Sequence, residues 1–132
     1  MNKKLSEVNN KNNIEVLIPP CQGACPILTP VQSYIAAIAE ERTDDALAIN
    51  LEVNPFPGIC GRICCHPCED RCRRAGIDSA LSIASLKRFA ADNGKIKVEK
   101  TKTTKRKTQK IAIIGAGPAG LAAANDLILS GY

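Results

Sequence analysis

Five of the chain's seven cysteines fall within thirteen residues, Cys60-Gly61-Arg62-Ile63-Cys64-Cys65-His66-Pro67-Cys68-Glu69-Asp70-Arg71-Cys72. The other two, Cys21 and Cys25, form a second knot upstream. Cys60, Cys64, Cys68 and Cys72 recur every fourth residue, as do Cys21 and Cys25. Fourfold spacing stacks side chains on one face of a helical turn, where thiolates converge. Soft metal centres require such convergence of sulfur donors, so the expected chemistry is an iron–sulfur site.

Composition supports this reading. Hydrophobic residues make up 45% of the 132, but aromatics only 3%, and tryptophan is absent. A core of aliphatic residues with so few rings is thin, and metal binding would supplement it, because its free energy becomes folding free energy. The polar, Asn-rich start, Met1 to Asn13, has no apolar stretch of signal-peptide length. No run approaches the ~18 apolar residues of a membrane span. The expected location is therefore cytoplasmic, where clustered cysteines bind metal or do redox work more often than they form disulfides. Four thiolates with His66 would also serve zinc, so a zinc-stabilised, non-catalytic interaction module is the alternative reading.

The net charge of +5 is unevenly spread. Residues 95–110 hold eight basic side chains and one acid, Glu99, which leaves the remainder at −2. No aromatic residue is interleaved there for base stacking. The run reads as a linker, with no nucleic-acid partner and no membrane partner expected.

Along the chain, residues 1–20 read as an extended or disordered lead that Pro19-Pro20 stiffens before Cys21. Cys21 to Pro26 reads as a compact turn with two thiols. Thr29-Pro30-Val31-Gln32 predicts a helix running to about Glu41, with Thr29 as its cap. Thr43-Asp44-Asp45 caps a second helix to about Val53, ended by Asn54-Pro55-Phe56-Pro57-Gly58. A third is expected from about Ser82 to Asp92, with Ile83, Leu86, Phe89 and Ala90 buried and Gly94 as its stop.

Beyond the linker, Lys110-Ile111-Ala112-Ile113-Ile114 reads as a buried parallel strand. It runs into Gly115-Ala116-Gly117-Pro118-Ala119-Gly120, and Leu121 to Ser130 reads as a helix ending at Gly131. Strand, glycines and helix together are the context of a dinucleotide-binding turn, where helix N-terminal amides meet a pyrophosphate. The chain stops at Tyr132, before the acidic residue expected about 20 positions on, so this unit reads as truncated. The expected organisation is a lead (1–20), a helical iron–sulfur domain (21–94), a basic linker (95–109) and the start of an FAD-binding Rossmann-like domain (110–132).

In combination, these motifs resemble the N-terminal iron–sulfur domain and the start of the FAD domain of the glutamate synthase small-subunit family. Dihydropyrimidine dehydrogenase and NADPH-linked ferredoxin oxidoreductases carry the same module. The matching residues are Cys21-x3-Cys25-Pro26, Asn54-Pro55, Cys60 to Cys64, Cys68-Glu69, Cys72-Arg73, Ile83 with Leu86 to Phe89, and Gly115 to Leu121 with Gly131-Tyr132. The resemblance implies a mostly helical, bis-cluster ferredoxin-like domain with 4Fe–4S clusters that exchange electrons between FAD and a partner subunit or domain. It pairs Cys21 with Cys72 at one cluster and groups Cys25, Cys64 and Cys68 at the other. Two departures stand out. Two further cysteines usual upstream of Cys21 are absent, and Lys87 occupies the position of a Gln or Glu ligand. Cys60, a bystander in the family, or the extra Cys65 is left to fill a vacancy, and the cluster count stays at one or two.

The expected function is thus electron transfer in an NAD(P)H-dependent FAD/iron–sulfur oxidoreductase. Its partner would be a ferredoxin, a synthase large subunit or a comparable domain. The candidate metal ligands are Cys21, Cys25, Cys60, Cys64, Cys68 and Cys72, and the candidate cofactor-binding residues are Gly115 to Gly120. No side chain is expected to do acid–base or nucleophilic chemistry, because the cofactors carry it. The fragment alone is expected to be inactive.

Overall fold

Three helices from separate parts of the chain enclose the core in the computed structural model, which describes residues 18–96 and 107–132. These are α2 (Val31–Ala39), α3 (Thr43–Leu51) and α6 (Ile83–Asn93), and each packs on the other two. The short helix α4 (Pro57–Ile63) lies along α6, and the single-turn helices α1 (Pro20–Gly23) and α5 (Pro67–Asp70) pack together. A 3₁₀ turn spans Arg73–Gly76, and α7 (Pro118–Leu129) follows the glycine motif. The fold is mostly α, and the described residues form no strand. None of their helices is long and apolar enough to cross a membrane.

The core is small, as the composition implies. Val31, Tyr34, Ala37, Ala46, Ile83 and Ala90 form it, together with Cys68. Its one ring, on Tyr34, is fully buried, and the hydroxyl donates to the Ile83 carbonyl at 2.9 Å. That bond ties α2 to the start of α6 and satisfies a polar group that would otherwise be costly to bury.

Helix positions agree with the sequence reading to within a few residues, but the ends are built differently. Thr29 does not cap α2. It is fully buried, and its hydroxyl faces the Cys25 thiol. Helix α2 ends instead in a Schellman arrangement, with Arg42 N–H on the Ala37 carbonyl, Glu41 N–H on the Ile38 carbonyl, and Glu41 itself at φ 59°. Gly94 stops α6 without a left-handed turn: a Cβ there would lie 2.7 Å from both the Ala90 oxygen and Leu47 Cβ, so glycine is required for close approach to α3. Phe89, expected in the buried stripe, is 45% exposed, and Lys87 takes its place at 7%.

The four-residue cysteine repeat does not form one helical face. Helix α4 ends at Ile63, Cys64 has extended backbone, and His66 adopts φ 44° before Pro67 opens α5. Proline disfavours the helical conformation in the residue before it, so Pro67 divides the stretch into two helices.

Much of the expected lead and linker, residues 1–17 and 97–106, lies outside the described residues. Residues 110–114, expected as a strand, have no regular secondary structure. A strand is defined by its ladder, and no described segment pairs with this one. Helix α7 ends as expected, in a Schellman motif with Gly131 at φ 93°, Gly131 N–H on the Ile128 carbonyl and Tyr132 N–H on the Leu127 carbonyl, both 3.0 Å.

Candidate metal centre

Pro20 opens α1, and the turn after it is pinned by Cys25 N–H on the Gln22 carbonyl and by Gln22 Nε2 on the Leu28 carbonyl. This fixes Cys25 with its Sγ 3.3 Å from Thr29 Oγ1. Burial raises the Cys25 thiol. The Thr29 hydroxyl, the backbone N–H groups of Thr29 and Ile27, and the charge of Lys87 outweigh that, so the thiol ionises below its ordinary range.

Cys68 sits in α5 and is 8% exposed. Burial pushes its thiol up, opposed by Lys87 and reinforced by Cys25 and Glu69. Helix α1 packs on α5, so the turn that follows α1 and carries Cys25 lies in the same region as Cys68, and the charges of Cys25 and Lys87 both reach the Cys68 thiol. The Tyr34 hydroxyl lies in the same neighbourhood: burial, then Cys68, Cys21, Cys25 and Glu69, push it far above the usual phenol range.

A second pair shares a cavity. Cys21 and Cys72 line a cavity of about 370 Å³ walled by Val31, Ile35 and Ile83, with Arg71, Arg73 and Arg74 around it. The Cys72 sulfur accepts the Leu81 N–H at 3.5 Å, and this bond is the main reason that its thiol is lowered.

The remaining cysteines are placed singly. Cys64 is exposed just beyond α4, where its sulfur accepts the His66 N–H at 3.3 Å, and Cys65 is exposed beside it. Cys60 is half-buried in α4, its thiol 3.8 Å from Asn54 Oδ1. His66 faces Glu69, with Nδ1 3.5 Å from Oε2. Arg62 pairs with Asp92 on α6 at 2.8 Å and Arg74 with Asp78 at 2.6 Å, so both guanidinium groups have carboxylate partners.

All seven thiols are free. Among the described residues, no three His, Cys, Asp or Glu side chains converge as ligands of one metal ion. A 4Fe–4S cluster distributes its thiolates over separate irons and so takes a wider donor set. Soft sulfur donors suit such a group. Lys87 and Thr29 are the residues that hydrophobic patterning misses. The spacing of Ile83, Lys87 and Ala90 puts Lys87 in the buried stripe, a signal visible only if a lysine is allowed into it.

In the glycine motif, Gly115 has φ 105°, and a Cβ on Gly120 would collide with the Gly115 carbonyl oxygen. Gly117 precedes α7, and Pro118 opens it. The loop therefore closes tightly onto the first turn of the helix.

Residues 8–99 match the model of the family described as dihydropyrimidine dehydrogenase domain II, 4Fe-4S cluster. The chain belongs to this family. It is 42% identical over 121 residues to the NADPH-Fe(3+) oxidoreductase subunit beta of Geobacter sulfurreducens, covering 90% of this chain and 18% of that protein. It is 39% identical over 137 residues to the NADP(+)-dependent formate dehydrogenase subunit beta of Moorella thermoacetica, covering 86% and 19%. It is 38% identical over 114 residues to the glutamate synthase [NADPH] small chain of Bacillus subtilis, covering 83% and 23%. The chain thus spans about a fifth of the length of these relatives, all of them oxidoreductase subunits by name.

Proposed function

We propose that this chain is the electron-transfer front end of an NAD(P)H-dependent FAD/iron–sulfur oxidoreductase, working with a partner subunit or domain. The observation that carries the reading is the packing of α1 on α5, which sets the upstream cysteine turn with Cys25 against the helix that carries the buried Cys68. Cys25, Cys64 and Cys68 would hold a 4Fe–4S cluster, with Cys60 or Cys65 as the nearby candidates for a fourth thiolate. A cluster supplies one-electron transfer when bound, and FAD with NAD(P)H supplies hydride chemistry. The chain's own contribution is to present thiolates, to keep water from Cys25 and Cys68, and to place positive charge beside them.

The glycine motif supports the flavin half of the proposal. Positive φ at Gly115 and the absence of room for a Cβ at Gly120 let backbone approach a pyrophosphate at the start of α7. Domain limits of 21–94 for the cluster domain and 110–132 for the start of the flavin domain follow. A dinucleotide needs neighbouring strands as well, so FAD is not expected to stay on the 132 residues alone. Stoichiometric flavin on the purified chain would refute that.

The deciding experiment is anaerobic reconstitution with iron and sulfide. Wild type should take up both, and Cys25→Ala, Cys64→Ala and Cys68→Ala should each lose most of the visible absorbance. Unchanged iron in all three variants would overturn the ligand assignment, and zinc in place of iron after purification would overturn the electron-transfer reading.

A further inference from the structure

Helix α2 is apolar over more of its surface than the core uses. Val31, Tyr34 and Ala37 are buried, whereas Ala36 and Ala39, on another face of the same helix, are exposed. These two alanines, with Ile35 and the exposed Leu81, wall the cavity of about 370 Å³ that Cys21 and Cys72 share. Protein interiors hold few voids larger than a water molecule, and a helix that is apolar round most of its circumference is normally covered on more than one side. Arg71 and Arg73 line the same cavity and have no carboxylate partner among the described residues. The occupant that fits is mainly apolar and carries negative charge.

One segment of the chain meets both requirements and begins at the cavity itself. Pro19 and Pro20 are part of the wall, and residues 14–17, immediately upstream, read Ile-Glu-Val-Leu after the polar run Asn9 to Asn13. We propose that this segment folds back over the cavity, with Ile14, Val16 and Leu17 against Ile35, Ala36 and Leu81, and with Glu15 beside Arg71 and Arg73. The proposal does not depend on the cluster assignment.

Attachment favours this occupant over a partner from solution. Ile14 is five residues from Pro19, a reach of at most ~18 Å. A tethered segment competes at an effective concentration on the order of millimolar, which a separate protein rarely matches. Pro19 and Pro20 also restrict the paths by which the chain can leave the wall, so less conformational freedom is lost when the segment is held. Closing the cavity in this way completes the second apolar face of α2 with residues from the same chain.

The test is methyl NMR on the reduced, full 132-residue chain. Wild type should show NOEs from the Val16 and Leu17 methyls to those of Ile35 and Leu81. Ala36→Glu, at an exposed helical position, puts bulk and negative charge into the cavity. It should abolish these NOEs and move the Val16 and Leu17 methyls to random-coil shifts, while NOEs between the core residues Tyr34 and Ile83 persist. Glu15→Lys should weaken the same NOEs, and Arg71→Glu in the same chain should restore them. Random-coil shifts for Val16 and Leu17 in wild type would overturn the proposal, as would NOEs that survive Ala36→Glu unchanged. NOEs seen only between differently labelled copies would also overturn it, by giving the cavity to a second copy of the chain. NOEs to Ile35 from residues 107–132 would overturn it in favour of the segment around α7.

Discussion

Glu69 Oε1 accepts the backbone N–H of Ala84 at 2.8 Å, across fifteen residues of chain. Ala84 lies in the first turn of α6, whose own N-cap residue, Ser82, makes no side-chain cap. A carboxylate from the cysteine region therefore does what a local cap does elsewhere: it satisfies an orphan donor and complements the helix dipole. Because Glu69 follows Cys68 directly, the bond also fixes the thiol's helix against the helix that carries Lys87.

Glu69→Ala should accordingly lower stability by about 1.5–3 kcal/mol, the range for a hydrogen bond to a charged group. Glu69→Gln, which keeps an acceptor, should lose less. Urea denaturation of the three proteins checks this, and equal midpoints for Glu69→Ala and wild type would contradict the tertiary cap.

The contact between α4 and α6 offers a sharper contrast. A Cβ on Gly61 would lie 2.8 Å from Arg88 N and 2.9 Å from Arg88 Cα, both backbone atoms, whereas one on Gly58 would meet Ala91 Cβ at an ordinary 3.5 Å. Gly61→Ala should cost about 1–3 kcal/mol through overpacking. Gly58→Ala, in the same helix, should be neutral or stabilising by up to about 1 kcal/mol. Thermal melts of the two variants decide it; similar losses in both would mean that the helices separate without difficulty.

What the sequence reveals here divides along physical lines. Helix cores such as Val31–Ala39 and Ile83–Asn93 follow from apolar spacing and turn residues, which are local. The Schellman end at Gly131 is readable because glycine is the residue that this turn favours. The break at His66 was also written locally, in Pro67, but the regular cysteine spacing masks it. Tertiary contacts hide the rest. Thr29 looks like a cap until Cys25 is seen beside it, and Lys87 looks solvated by residue type, yet its place on α6 is 7% exposed. The grouping of Cys25 with Cys68 and of Cys21 with Cys72 needs the packing of α1 on α5, which no spacing rule supplies.

Glu41 offers a test of backbone strain. It is exposed, holds φ 59° at the end of α2, and makes no ion pair among the described residues. A left-handed conformation costs an ordinary L-residue roughly 1–2 kcal/mol, partly offset by the extra chain entropy of glycine. Glu41→Gly should therefore raise stability by about 1 kcal/mol. A lower melting temperature for this variant would show that the side chain has a role that its exposure hides.

The two thiol groups should differ in reactivity, and that difference reports how many sites are filled. The Leu81 N–H, opposed by burial, lowers the Cys72 thiol, with the charge of Arg74 among the smaller contributions. Burial raises that of Cys68. A lowered value means that the thiolate persists to lower pH, and a raised one means that it forms only at higher pH. Since the thiolate is the nucleophile, iodoacetamide should label Cys72 of the reduced, iron-free chain ahead of Cys68 over about pH 6 to 9. Mass spectrometry of the peptides gives both rates, and coincident pH profiles would refute the assigned environments. Loading with iron and sulfide then asks a second question. Cys21 and Cys72 have no further cysteine at their cavity, so loading should protect Cys68 and leave Cys72 reactive, the signature of one cluster. Protection of both at the same iron content per chain would place Cys72 in the ligand set after all, and protection of both with twice the iron would establish a second cluster in the cavity.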